Sequence, residues 1–117
     1  MFRGCTKFNS KVRLHNGIMN CTSAFEGCTS FNQPITIPST ASTCESMFLG
    51  CSNLTSIKCY CETPPKAGGA ITDMLTTCIL YVPKQSIQVY KDDANWGQFN
   101  FINNHTLFLL FVIFHVH

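Results

Sequence analysis

The sequence predicts an α/β repeat fold: a solenoid of about three and a half 23-residue units, with short parallel strands on one face and short helices on the other. Two observations predict it. The stretch Cys44-Glu45-Ser46-Met47-Phe48-Leu49-Gly50-Cys51-Ser52-Asn53-Leu54 recurs 23 positions upstream as Cys21-Thr22-Ser23-Ala24-Phe25-Glu26-Gly27-Cys28-Thr29-Ser30-Phe31, and 23 further upstream as Met1-Phe2-Arg3-Gly4-Cys5-Thr6-Lys7-Phe8. Between copies, Phe31-Asn32-Gln33-Pro34-Ile35-Thr36-Ile37-Pro38 reads as a turn and a short strand with Ile35 and Ile37 on one face. One such unit cannot bury its apolar face alone, so neighbours must stack.

Taken in order, the first unit is incomplete and places Val12 and Leu14 where Ile35 and Ile37 stand in the next. Ser39 to Thr43 is rich in capping residues and leads into Cys44 to Leu49, expected to form one or two helical turns that Gly50 ends in the left-handed conformation. Cys44, Met47, Phe48 and Cys51 recur at helical spacing and should face inward. The expected structural core is Phe25, Cys28, Phe31, Ile35, Ile37, Cys44, Met47, Phe48, Cys51, Leu54 and Ile57. The third strand is Ile57 to Cys61, with Ile57, Cys59 and Cys61 inward and Lys58 and Tyr60 outward. Unit size and pattern are those of a leucine-rich-repeat-like solenoid.

Glu62 to Ala70 carries Pro and Gly and reads as an extended loop that breaks the period, since a decayed fourth copy, Met74-Leu75-Thr76-Thr77-Cys78, is offset by 27. Cys78 to Pro83 is a last strand. Ser86 is placed to cap a helix carrying Ile87, Tyr90 and Ala94 inward, with Asp92 and Asp93 in solvent. Trp96, Phe99 and Ile102 would then cover the end of the stack. The organisation is therefore repeats over 1–61, a terminal repeat and C-terminal cap over 62–102, and an apolar tail over 103–117.

Composition removes several function classes. A hydrophobic content of 45% with 12% charged residues suits a folded chain, and a net charge of +2 without a basic run leaves no electrostatic footprint for nucleic acid. The N-terminal stretch shows no apolar run of signal-peptide length. Because Met1 falls inside a repeat, the chain reads as a fragment of a longer array.

The motif (Met/Ala)-Phe-x-Gly-Cys-(Thr/Ser)-x-Phe-Asn-Gln-Pro-Ile-Thr-Ile-Pro, read through Ala24 to Pro38 and Met47 to Ile57, resembles the BspA-type leucine-rich repeats of bacterial surface proteins, related to mycoplasma-lipoprotein-type repeats. Cys59-Tyr60-Cys61-Glu62-Thr63-Pro64-Pro65, Leu80-Tyr81-Val82-Pro83, Tyr90-Lys91 and Trp96-Gly97-Gln98-Phe99 resemble the terminal unit of such arrays. The resemblance covers Met1 to about Ile102. It implies a solenoid fold, a cell-surface or secreted parent protein, host or cell-surface protein partners and an adhesive role, with no catalytic residues to carry over. Cys21 and Cys44 depart from the usual aliphatic, and the tail is foreign to the family.

Eight cysteines invite disulfide or metal readings, but most lie on the repeat lattice, where a free thiol packs as a small hydrophobe. Equivalent side chains that point in parallel rarely meet disulfide geometry, and the chain has no Cys-x-x-Cys pair. Cys59-x-Cys61 is the one local pair with chemical possibilities but should face the core, and His115-Val116-His117 lacks a third ligand, so no metal and no cofactor is expected. Nothing sets His15 beside an exposed cysteine, and neither Asp92-Asp93 nor Glu26 and Glu45 form a working pair, so no catalytic residues are assigned. Three sequons, at Asn20, Asn53 and Asn104, are close to chance in so Asn- and Thr-rich a chain. The apolar run 107–116 is about half a membrane span. It is read three ways: an added strand or apolar cap, an interfacial or truncated membrane anchor, or a non-native extension.

The resulting expectation is a non-enzymatic protein-binding module from an adhesin-like repeat protein. Its ligand-binding strand face comprises Lys11, Arg13, Thr36, Lys58 and Tyr60. The alternatives are a structural spacer of a phage fibre or cell-wall protein and a Cys-rich metal-binding module.

Overall fold

The computed structural model of the chain describes residues 1–69 and 77–105. Alternating apolar residues make the strands β1 (Ile35–Ile37) and β2 (Ser56–Cys59), a continuous apolar run makes β3 (Ile79–Val82), and β4 (Phe101–Asn104) joins them in one parallel sheet of order β1-β2-β3-β4. One short helix, α1 (Ile87–Asp92), completes a small α/β domain. Ile35 stands opposite Ile57, Ile57 opposite Leu80, and Leu80 opposite Ile102. The side chains of Ile35, Ile37, Ile57, Cys59, Leu80 and Val82 are buried on the inner face. Thr36, Lys58, Tyr81 and Asn103 form one row across the outer face, where Thr36 is exposed and Tyr81 is buried. Among the described residues no helix is long and apolar enough to cross a membrane.

On the other side of the units the expected helices do not form. Residues 44–49 are successive hydrogen-bonded turns. The N–H groups of Cys21, Ser23, Phe25 and Gly27 donate, at 2.7 to 2.9 Å, to the carbonyls of Thr43, Glu45, Met47 and Leu49 in the following unit, so they are spent between units and not along a helix. Intervening turns close locally, as in Ala24 N–H to the Cys21 carbonyl and Cys28 N–H to the Phe25 carbonyl. Ser23 and Ser46 take φ of 55° and 54°, a left-handed conformation that ends any right-handed helix.

The expected period-breaking loop at 62–70 is also overturned, as far as Gly69. Lys66 pairs with Thr43 as Thr43 pairs with Asn20, and the Cys44 and Ser46 N–H groups donate to the Lys66 and Gly68 carbonyls. Gly69, at φ of 71°, stands 23 positions after Ser46, in the same left-handed conformation. Ile79 then pairs with Ser56, 23 positions earlier, so Cys78 marks no 27-residue offset in the stack. Ala70 to Thr76, and with them most of the proposed fourth copy, lie outside the described residues.

The stack is filled by columns of equivalent residues. Phe2, Phe25 and Phe48 stack ring on ring with centroids 5.6 and 6.0 Å apart, and Phe8 stacks on Phe31 at 5.6 Å. Phe25, Cys28, Phe31, Ile35, Ile37, Cys44, Met47, Phe48, Cys51, Leu54 and Ile57 are all buried. Val12 and Leu14 make no strand, although Leu14 is buried. Gly27 and Gly50 have positive φ, and a β-carbon on either would touch the glycine one unit before it, at 3.5 and 3.4 Å. Those are ordinary contact distances, so it is the left-handed turn that calls for glycine there.

At the C-terminal end Ser86 does not cap α1. Its hydroxyl donates to the Glu62 carbonyl at 2.7 Å, tying the segment to the unit below. Ala94 lies beyond α1 and is exposed. Asp93 is half-buried and accepts the Asn95 and Trp96 N–H groups at 2.9 and 3.0 Å, while Asp92 is exposed. Trp96, buried beside Tyr90 and Phe99, donates its indole N–H to the Pro65 carbonyl at 2.8 Å. β4 runs through Asn103 and Asn104, across the expected boundary between cap and tail, and the tail from residue 106 lies outside the described residues.

A β-carbon at Gly97 would overlap the Lys91 carbonyl, whereas one at Gly68 would meet open space. Gly97→Ala should therefore cost about 1 to 3 kcal/mol in urea unfolding, the range for forced overpacking. Gly68→Ala should stay within about 0.5 kcal/mol. Equal effects would refute the tight Gly97 contact.

Candidate functional site

Around the C-terminal ends of β1 and β2 are two clefts that share Tyr60. One, of about 540 Å³, is lined by residues 12–16, Thr36, Pro38 and Tyr60. The other, of about 530 Å³, is lined by Ser39, Ala41, Ser42 and the run from Tyr60 to Pro65. Alternation along β2 and its extension turns Cys59 and Cys61 inward and leaves Tyr60 41% exposed between the clefts. The Tyr60 N–H donates to the Ile37 carbonyl at 3.0 Å, which anchors the backbone under the ring.

Of the five residues expected on a ligand face, Arg13, Thr36 and Tyr60 line the first cleft together. Lys58 is half-buried and sets its ammonium 5.2 Å from the centre of the Tyr60 ring, within cation–π range. Lys11 is exposed but does not line either cleft. The first cleft has Arg13 and His15 in its wall and no carboxylate; the second has Glu62, whose Oε1 accepts from Gln85 Nε2 at 3.1 Å.

His105, which sequence reasoning left aside, supports this region. Its ring meets Tyr60 edge-on with centroids 4.4 Å apart, and its Nε2 lies 2.9 Å from the Cys59 carbonyl. A carbonyl only accepts, so the proton resides on Nε2. Burial, with a smaller contribution from the nearby Lys58 charge, lowers the His105 pKa below the ordinary 6.5, against the opposing pull of its hydrogen bonds. No sequence signal marked His105, because it follows an Asn-rich strand without alternation.

Cys59 and Cys61 lie at the buried Tyr90 phenol, and Cys21 and Cys44 form a neighbouring pair of thiols. Cys59 Sγ is 3.2 Å from Tyr90 Oη, Tyr90 donates to the Cys61 carbonyl at 2.6 Å, and the Cys61 thiol contacts the Pro38 and Ala41 carbonyls at 3.3 and 3.4 Å. All eight cysteines are free and only Cys5 is exposed. The Cys21 thiol as neighbour, then burial, pushes the Cys44 pKa up; the Cys59 thiol, then burial, does the same for Cys61; burial alone pushes Cys78 up to about 12. These three remain protonated at neutral pH and supply no thiolate nucleophile. Cys28 and Cys51 donate instead to the Phe2 and Phe25 carbonyls of the preceding unit, each at 3.0 Å.

Among the described residues no three His, Cys, Asp or Glu side chains form a group that could hold a metal ion. His115 and His117 lie outside those residues. Glu26 pairs with Arg3 at 3.3 Å and accepts the Ser23 hydroxyl at 2.8 Å, while Glu45 is exposed elsewhere.

Because the folded protein disfavours His105 protonation, the unfolded chain binds the proton more readily. This residue's contribution to stability should therefore be complete above the ordinary histidine value of about 6.5 and decline as pH falls through it. NMR titration should give His105 a midpoint below 6.5, and Tyr60→Ala, by exposing the ring, should raise it. A midpoint at or above the ordinary value would contradict the packing described.

No protein-family model, curated protein or solved structure matches the chain.

Proposed function

We propose that the chain is a non-enzymatic interaction module, built as a short solenoid of the BspA-type leucine-rich-repeat kind and belonging to a surface or secreted adhesin-like protein. The observation that carries the reading is the meeting of Arg13, Thr36 and Tyr60 at one cleft, from three successive units. Repetition supports it: equivalent positions of stacked units form rows, and a row of outward side chains is a surface suited to an extended partner. The 23-residue ladder that runs from Asn20 through Thr43 to Lys66 supports the solenoid architecture.

Chemistry also favours binding over catalysis. The groups in the clefts are an arginine, a histidine, hydroxyls, a tyrosine, the Glu62 carboxylate and the Cys61 thiol, and the neighbouring Cys59 thiol together with burial raises the Cys61 pKa, so that this thiol holds its proton. A half-exposed tyrosine beside an arginine is the composition of binding hot spots. Partners are then host or cell-surface proteins.

The test is adhesion of the purified chain to immobilised matrix proteins and to cells. Tyr60→Ala with Lys58→Ala should weaken binding about tenfold, the effect of losing a central aromatic anchor. Glu45→Ala, on the turn side, should leave it within about twofold. No binding to any surface, or loss on changing Glu45 with none on changing Tyr60 and Lys58, would sink the reading.

A further inference from the structure

We infer that the two clefts beside Tyr60 form one site for an extended peptide of a protein partner that is acidic at one end and uncharged at the other. The inference rests on the interaction-module reading and names its ligand. The acidic end lies in the cleft of Arg13 and His15, and the uncharged end runs past Tyr60 toward Glu62 and Pro64.

Three observations carry it. Charge is segregated: Arg13 lines the first cleft, which has no carboxylate, and Glu62 lines the second, which has no lysine or arginine. A ligand carboxylate is attracted at one end and repelled at the other. Arg13 is exposed and makes no ion pair among the described residues, so its planar donor fork is open to a carboxylate.

Size is the second observation. At about 540 and 530 Å³ the clefts are each far larger than one small anion needs, and their shared wall is the Tyr60 ring. An extended chain crosses such a ridge by laying an apolar stretch on the aromatic face. Third, the ridge is braced: Lys58 lies against the ring and His105 meets its edge, so little side-chain freedom remains to be lost on binding. One arginine and one histidine are too few for a polyanion such as nucleic acid, whose binding draws on many phosphate contacts.

The experiment uses the full chain and fluorescein-labelled heptapeptides in anisotropy titrations. One peptide carries two glutamates followed by five neutral residues, a second is all glutamate, and a third replaces the two glutamates with glutamines. The first should bind best, more weakly as salt rises. Arg13→Gln should weaken it about fivefold and Tyr60→Ala about tenfold, while Lys7→Gln, at an exposed lysine that lines neither cleft, leaves it unchanged. Glu62→Gln should strengthen the all-glutamate peptide and not the first. Equal binding of the glutamine peptide, indifference to Arg13→Gln, or preference for a sulfated heparin hexasaccharide over all three peptides would overturn the inference. If the peptides fail while Tyr60 and Lys58 still govern adhesion, only the ligand assignment is wrong; if adhesion ignores those residues too, the module reading falls with it.

Discussion

The structure depends on backbone hydrogen bonds made between units. When the N–H groups of Cys21, Ser23, Phe25 and Gly27 donate to carbonyls 22 residues ahead, each unit is held at strand-like spacing from the next. Everything at the same position of the repeat must then fit its own copy. Phenylalanine answers by stacking, glycine by taking the left-handed turn in each copy, and cysteine by being small and carrying a weak donor. The Cys28 and Cys51 thiols point at carbonyls that already accept the N–H groups of Cys5 and Cys28, so each thiol adds a second donor to a buried oxygen. An aliphatic side chain of similar size would fill that space without the bond.

This constraint explains what could be read from the residues and what could not. Burial of Phe25, Phe48, Cys28 and Cys51 was legible because recurrence every 23 positions registers contact with an equivalent neighbour, whatever the local backbone. The backbone itself was not. Cys44, Met47, Phe48 and Cys51 are spaced as on a helix, yet a run of turns with a left-handed serine in it also brings them to one side. Propensity favoured helix, and hydrogen bonding to the next unit prevailed.

Gly69 shows the same principle from the other direction. Glycine beside glycine, after a proline pair, looks like a linker, but this glycine takes the conformation that Ser23 and Ser46 hold at strain. Counting 23 on from Ser46 would have found it. β4 gave no such handle: Phe101-Ile102-Asn103-Asn104 lacks the alternation of a half-buried strand, and its place follows from pairing with β3. In the candidate site, alternation exposed Thr36, Lys58 and Tyr60, whereas the shares of His15, Pro38 and His105 arise from how the chain turns between elements.

β4 connects the end of the fold to the site. By pairing Asn103 with Tyr81, in the row that contains Lys58 and Thr36, it carries the chain to where His105 reaches back to the Cys59 carbonyl and the Tyr60 ring. Burial disfavours the charged imidazole, and a positive charge there would work against the Lys58 ammonium held near the ring. Tyr60 is thereby fixed by groups from β2 and from the end of β4, on opposite sides of β3. A surface residue held from two elements has few conformations left to lose, which is what the proposed binding role asks of Tyr60.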